Sequence, residues 1–186
     1  MNELAPEAIL AAVSVAYRGF VEYEDAGVVL KGAILSVRFE TRFQRGSLFR
    51  FAYTAFRPDG QKYHEGSVSS EQGHVSFACS LGGPQPTSLR LGIAALTGIS
   101  WGAAHGVPSL LLPEDVGGWL PTDLVGVVRL PDEAVAGVSC FHVQGDHPKR
   151  ASKYSLLVDK TTFVIRRRVS LERGPEVTDY EACKAA

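Results

Sequence analysis

The chain has 186 residues, 45% of them hydrophobic, and 19 basic side chains against 20 acidic ones leave a formal net charge of −1. That length supports one well-buried core and is short for two, so residues 1–186 read as a single domain. The balanced charge gives no net field toward nucleic acid or anionic lipid, and no run of about 18 apolar residues free of Pro and charge offers a membrane span, so a soluble protein is expected.

The first element is an amphipathic helix over MNELAPEAILAAVSVAY, with Pro6 at the position where a missing N–H does no harm and Glu7 at the positive helix end. Glu3 and Glu7 stand where a signal peptide needs basic residues. The protein is therefore cytoplasmic if Met1 is native, and periplasmic if a signal peptide has been removed. The period then changes to two. In LSVRFETRF, Leu35, Val37, Phe39, Thr41 and Phe43 face one way; after the turn Gln44–Ser47, LFRFAYTAF puts Phe49, Phe51, Tyr53 and Ala55 on one side. These two strands form a hairpin. Pro58-Asp59-Gly60 makes the next turn, and Lys62–Ser69 and His74–Leu81 are strands around Glu71-Gln72-Gly73.

Gly82-Gly83-Pro84 and Pro86 end this meander, and Thr87 or Ser88 caps a helix carrying Leu89, Ile93 and Leu96 at helical spacing. A helical insert, interrupted by Gly102, Gly106 and Pro108, spans about 87–116. Strands resume at Asp123–Leu130, Gly137–Gln144, Lys153–Val158, Phe163–Glu172 and Val177–Ala182. Short connections without crossover helices imply antiparallel pairing. The fold class expected is α+β: a large curved antiparallel sheet, a half-open barrel, with an N-terminal helix and the insert as lid or plug on its concave face.

A first helix, meandering strands, a central helical insert and a late hairpin marked by Asp and Thr resemble the LolA/LolB-like periplasmic lipoprotein carrier superfamily. LLVDKTTFVIRRRV, Leu156–Val169, resembles its hairpin of the form apolar-x-Asp-x-x-Thr-x-apolar, with Asp159 and Thr162 in the matching places. HGVPSLLLP before Gly117-Gly118, and GVSCFHVQG at Gly137–Gly145, resemble an outer-membrane lipoprotein-sorting-like branch. The resemblance implies a non-enzymatic protein of the cell envelope that holds a lipid or acylated ligand under the insert, with no cofactor and envelope proteins as further partners. It places Phe39, Phe49, Phe51, Tyr53, Leu91, Trp101, His105, Leu110, Leu111 and Trp119 around the ligand; the same apolar residues would equally fill a core. The superfamily's arginine tying lid to sheet has only positional candidates here, Arg50 and Arg90. An envelope sensor or protein-interaction module on the same scaffold is the alternative, with a filled interior and an exposed apolar patch as its mark.

Gly98-Ile99-Ser100-Trp101-Gly102 fits G-x-S-x-G, and Asp123 or Asp132 with His142 or His147 would complete a triad order. A nucleophile elbow needs a strand before it, whereas a helical segment precedes Ser100, so the glycines are read as a bend in the insert. Cys140 and His142 share a strand face, but no metal site is expected without further convergent ligands. His105 is read as pinning the insert to a nearby carbonyl. In Arg166-Arg167-Arg168, alternation sends the middle residue to the opposite face. Cys79 and Cys140 could pair across strands or stay free, and Cys183 leaves the count odd.

Overall fold

The computed structural model describes residues 4–83, 85, 86, 88–171 and 176–185. Met1, Glu3, Pro84, Thr87 and Glu172, each part of an expectation above, lie outside the described residues.

Helix α1 (Pro6–Gly19) begins at Pro6 with Glu7 in its first turn and Arg18 in its last. Its buried stripe is Ile9, Leu10, Val13 and Tyr17, at the spacing of one helical face. Among the described residues, ten strands follow: β1 (Glu22–Lys31), β2 (Ile34–Gln44), β3 (Leu48–Phe56), β4 (Lys62–Glu71), β5 (His74–Cys79), β6 (Val125–Val135), β7 (Val138–Asp146), β8 (Lys153–Asp159), β9 (Ile165–Ser170) and β10 (Glu176–Ala185). Between β5 and β6 lie α2 (Leu89–Thr97), α3 (Gly106–Leu111) and α4 (Pro113–Val116). The strands make one antiparallel sheet in the order β5-β4-β3-β2-β1-β10-β9-β8-β7-β6, left open between β5 and β6.

Strand β1 was not legible. Its inward positions are Tyr23, Asp25, Gly27 and Val29, so a charge and a glycine interrupt the apolar alternation that marks a half-buried strand. Both residues have structural reasons. A Cβ on Gly27 would lie 2.3 Å from the Asp179 carbonyl oxygen and 2.6 Å from the Phe39 ring, so only glycine lets β10 and that ring close on β1. Asp25 is 5% exposed and accepts the Tyr23 hydroxyl at 2.8 Å. Burial pushes its pKa up to about 6, with Thr41 and Tyr23 opposing the shift.

Strand β6 runs past the expected end at Leu130, through Pro131, to Val135. An edge strand tolerates proline because one side of it owes no ladder bond, and two register shifts bend it there. The hairpin turns lie where the sequence puts them. Asp59 accepts the Gln61 N–H at 2.9 Å, and Asp159 accepts those of Thr161 and Thr162 at 2.8 and 3.2 Å.

One face of the sheet carries the main core. Helix α1 lies against β6, β7 and α3, while α2 lies against β4 and α4. Inner-face residues from Val29 to Tyr180 meet Ile93, Leu96, Val107, Leu110 and Leu111 of the helices. On the opposite face Val135, Cys140 and Leu157 form a small separate cluster. Cys79 and Cys140 are free thiols.

Candidate functional site

The insert rests on the inner face as three short helices joined by bends. Ser88 caps α2 by accepting the Leu91 N–H at 3.3 Å, and Ile93 and Leu96 point inward. Gly92 lets α2 sit down on β4: a Cβ there would be 2.6 Å from a Val68 methyl. After Thr97 the chain turns through Trp101 (φ 53°) and Gly102 (φ 80°), a left-handed pair that ends the helix. Ser100 is fully buried in this bend; its hydroxyl accepts the Ala104 N–H at 3.0 Å and donates toward the Thr97 carbonyl at 3.5 Å. Ser100 is thus bonded to backbone on both sides, and no histidine partner is present among the described residues.

Four contacts tie the bends to the sheet and to each other. His105 Nε2 lies 3.2 Å from the Gly117 carbonyl, and burial, with Arg168 nearby, holds its pKa below the ordinary imidazole value. Trp119 packs between His147 and Tyr154, with ring centroids 4.6 and 5.1 Å away. Arg90 lies against Gly117, where a Cβ would be 3.0 Å from its guanidinium. The fourth contact is Arg168 on β9, 6% exposed, whose guanidinium lies beneath the joint: Cβ atoms on Gly102 and Gly106 would be 2.9 and 3.3 Å from its nitrogens. Of the positional candidates, Arg50 points outward from β3 and Arg90 stays within the insert. The arginine that lies between sheet and insert here is Arg168.

A register irregularity explains why the arginine run misled. Between Leu157 and Val158 the β8–β9 pairing shifts, which adds Arg166 as an extra residue. Arg166 turns to Asp159 at 2.9 Å, Arg167 pairs with Asp179, and Arg168 is sent inward.

Across the sheet from Arg168 runs an apolar row. Tyr180 meets Phe39 edge-on at 5.6 Å, Phe39 stacks at 6.1 Å on Phe51, and Phe51 at 6.4 Å on Tyr53. The Tyr53 hydroxyl lies 3.2 Å from His64 Nδ1, and burial raises the phenol pKa while lowering that of the imidazole. Between the β2–β3 and β4–β5 turns and the insert, a recess of about 380 Å³ opens over Phe43, Phe49, Val75, Leu89 and Leu112. A larger trough of about 850 Å³ lies over the outward small and charged residues of β1–β5, among them Ala52, Ser67, Arg38 and Glu65. The first recess is the one continuous with the sheet–insert seam.

Of the residues expected around a ligand, Phe39, Phe49, Phe51, Tyr53, Leu110 and Leu111 come together in one buried cluster, with Trp119 packed against it. His105 is half-buried at the lower joint. Leu91 and Trp101 are not brought there: they are 54% and 41% exposed, Leu91 on the outer side of α2 and Trp101 under the Lys31 ammonium at 4.7 Å. The side chains between sheet and insert are packed, so the seam is closed. Sequence reasoning left Leu89, Val75, Thr178 and Arg168 out of the site. Only the i to i+3/i+4 spacing of Leu89, Ile93 and Leu96 signalled any of them.

Cys140 donates to the Val138 carbonyl, and His142 is held between Glu133 at 2.8 Å and Ser155 at 3.2 Å with a side chain only 13% exposed. Among the described residues no three His, Cys, Asp or Glu side chains converge as a metal cluster, and no helix is long and apolar enough to cross a membrane.

No protein-family model and no curated protein matches the chain. Solved structures do. MucB in the Pseudomonas aeruginosa MucA/MucB complex superposes with a TM-score of 0.55 at 14% identity, over 97% of this chain and 57% of that one. LprF from Mycobacterium bovis gives 0.53 at 14% identity, over 97% and 91%. An uncharacterised conserved protein from Thermus thermophilus gives 0.55 at 9% identity, over 96% and 85%. The chain has the LolA-like fold. It spans little more than half of the MucB chain, and at these identities the likeness is one of fold.

Proposed function

We propose that this LolA-like protein is a non-enzymatic carrier of the cell envelope, in the periplasm, that binds a lipid or acyl chain reversibly between its curved sheet and its helical insert. The observation that carries this reading is the seam. A recess lined by Phe43, Phe49, Val75, Leu89 and Leu112 ends at Phe49, two residues along β3 from Phe51 of the buried row Tyr53–Phe51–Phe39–Tyr180, which lies under a cover of short helices. Apolar burial at about 25 cal/mol per Å² would drive binding, and an acyl chain would replace the contacts that Leu110, Leu111 and Leu112 make in the closed form. Opening requires the insert to lift at its joints, which is the step that would gate uptake and release.

A second reading, an envelope sensor or protein-interaction module, is favoured by the packed interior together with exposed Leu91 and Trp101 on the insert. Native mass spectrometry of gently purified protein, followed by solvent extraction, separates the two. A bound lipid mass that is lost on extraction supports the carrier. Protein that is always lipid-free, and binds no fluorescent fatty acid in solution, contradicts it. In the same assay Leu111→Asp should weaken uptake while the sheet stays folded.

A further inference from the structure

A guanidinium is among the groups least often buried without a counter-charge, because desolvation is repaid only by a well-placed anion. Arg168 is 6% exposed, and among the described residues no carboxylate comes within 4 Å of it and no hydrogen bond from it is formed. Charged groups around it are Glu176 on β10, close enough for Arg168 and for Lys31 on β1 to oppose the upward shift that burial imposes on its carboxyl, and His105 on the insert. Directly across the β9–β10 ladder, and so on the same face, stands Thr178, 1% exposed with its hydroxyl unpartnered. A mostly buried cation without an ion pair, its nitrogens still touching solvent, and a fully buried hydroxyl without a partner therefore lie side by side under the joint at Gly102 and Gly106.

We propose that Arg168 and Thr178 form the anchor for the anionic head of the ligand, a carboxylate or phosphate that pairs with the guanidinium and accepts the Thr178 O–H when the insert lifts. This rests on the lipid-binding reading and specifies it: the ligand is an acyl chain with a negatively charged end. The tail then has a defined path. From β9 it crosses β10 beside Tyr180, β1 at Gly27, and β2 at Phe39, to Phe51 and Tyr53 on β3, a distance of about 19 Å at the spacing of hydrogen-bonded strands. Gly27 contributes by leaving that row without a side chain on β1. A planar guanidinium suits either oxyanion, since both accept two parallel N–H bonds. Water serves the same groups in the open, unliganded form, so exchange of the ligand for water keeps them satisfied at each stage.

The test compares oleate with methyl oleate, which has the same tail and no charge, and adds inorganic phosphate alone as a third probe. Titration calorimetry on the wild-type chain should give at least tenfold tighter binding of oleate than of the ester. In Arg168→Met that ratio should fall to near one, Arg168→Lys should retain part of it, and Thr178→Val should reduce it severalfold. Circular dichroism confirms that each variant is folded, and the Lys variant keeps the test valid if Met is not. A ratio near one in the wild type, or a tenfold ratio that persists in Arg168→Met, overturns the anchor. If neither lipid binds but phosphate raises the melting temperature of the wild type and not of Arg168→Met, the anchor stands and the carrier reading fails. If lipid and phosphate are both without effect, the two fall together.

Discussion

Two helical segments cover the same sheet and are built differently. Helix α1 is 14 residues long without an internal break, buries Ile9, Leu10, Val13 and Tyr17 to 5% exposure or less, and places the Tyr17 hydroxyl 3.2 Å from the Ile165 N–H. The insert covers its half with helices of nine, six and four residues, with Gly102 at positive φ between the first two, Leu112 between the second and third, and Gly117 and Gly118, also at positive φ, after the last. A continuous helix propagates its own hydrogen bonds, whereas pieces this short depend on packing for their existence. On the carrier reading this difference separates a permanent cover from one expected to lift.

The largest effect expected from breaking this comparison is at Tyr17. Tyr17→Ala removes a fully buried ring and the partner of Ile165, and should cost about 3–5 kcal/mol, read as global loss of the sheet in denaturant melts. Survival of the sheet with α1 detached would mean that α1, too, is a removable cover.

Next comes the carboxyl bonded to Tyr23, the ring that Tyr17 packs against. Asp25 titrates near 6 when folded and about 4 when unfolded, so between those values the folded chain holds a proton the unfolded chain has released. Stability should therefore fall as pH rises through that window, and remain lower above it by up to about 3 kcal/mol. Asp25→Asn should abolish this slope and raise the melting temperature above about pH 7. An unchanged slope would place the titration elsewhere.

A smaller effect belongs to the hairpin next to Ile165. Asp159 accepts two turn N–H groups and the Arg166 guanidinium, and these bonds, with burial opposing, hold its pKa below the usual carboxylate value. Asp159→Ala should cost about 2 kcal/mol in melting experiments without altering lipid affinity. Loss of affinity at unchanged stability would make it a ligand contact. The smallest change is Ser100→Ala in the insert, worth about 1 kcal/mol for the Ala104 bond. Hydrogen exchange should then quicken at residues 98–112 and stay unchanged in α1; equal acceleration in both would erase the distinction.

Much of the scaffold was readable because strands with one wet face alternate strictly. β2 and β3 bury Val37, Phe39, Thr41 and Phe43 and then Phe49, Phe51, Tyr53 and Ala55 as the pattern requires, with Leu35 at the start of β2 only half-buried. Thr41 rode along on parity alone. The pattern failed where tertiary contacts overrule it: at Asp25 and Gly27, which break the β1 alternation for the sake of a polar pair and a close approach, and at Pro131, which an edge strand accommodates. The candidate site was less legible still. The aromatic row follows from parity, but Leu91 and Trp101 face out because helix rotation and a left-handed bend, not hydrophobicity, decide where they point. Arg168 faces in because of a register shift that no local sequence signal announces.

The central claim is that the insert must part from the sheet for a ligand to bind, and the contact of α2 with β4 allows it to be held shut. A Cβ on Gly92 would lie 3.5 Å from that of Val68, within the range of about 3.5–4.5 Å spanned by a disulfide. In a background with the three native cysteines replaced by alanine, Gly92→Cys with Val68→Cys should therefore cross-link α2 to β4. Fluorescent fatty-acid binding measured before and after reduction tests the claim on one sample. The account predicts no uptake by the oxidised protein and recovery on reduction. Equal affinity in both states, or no binding in either, would contradict it.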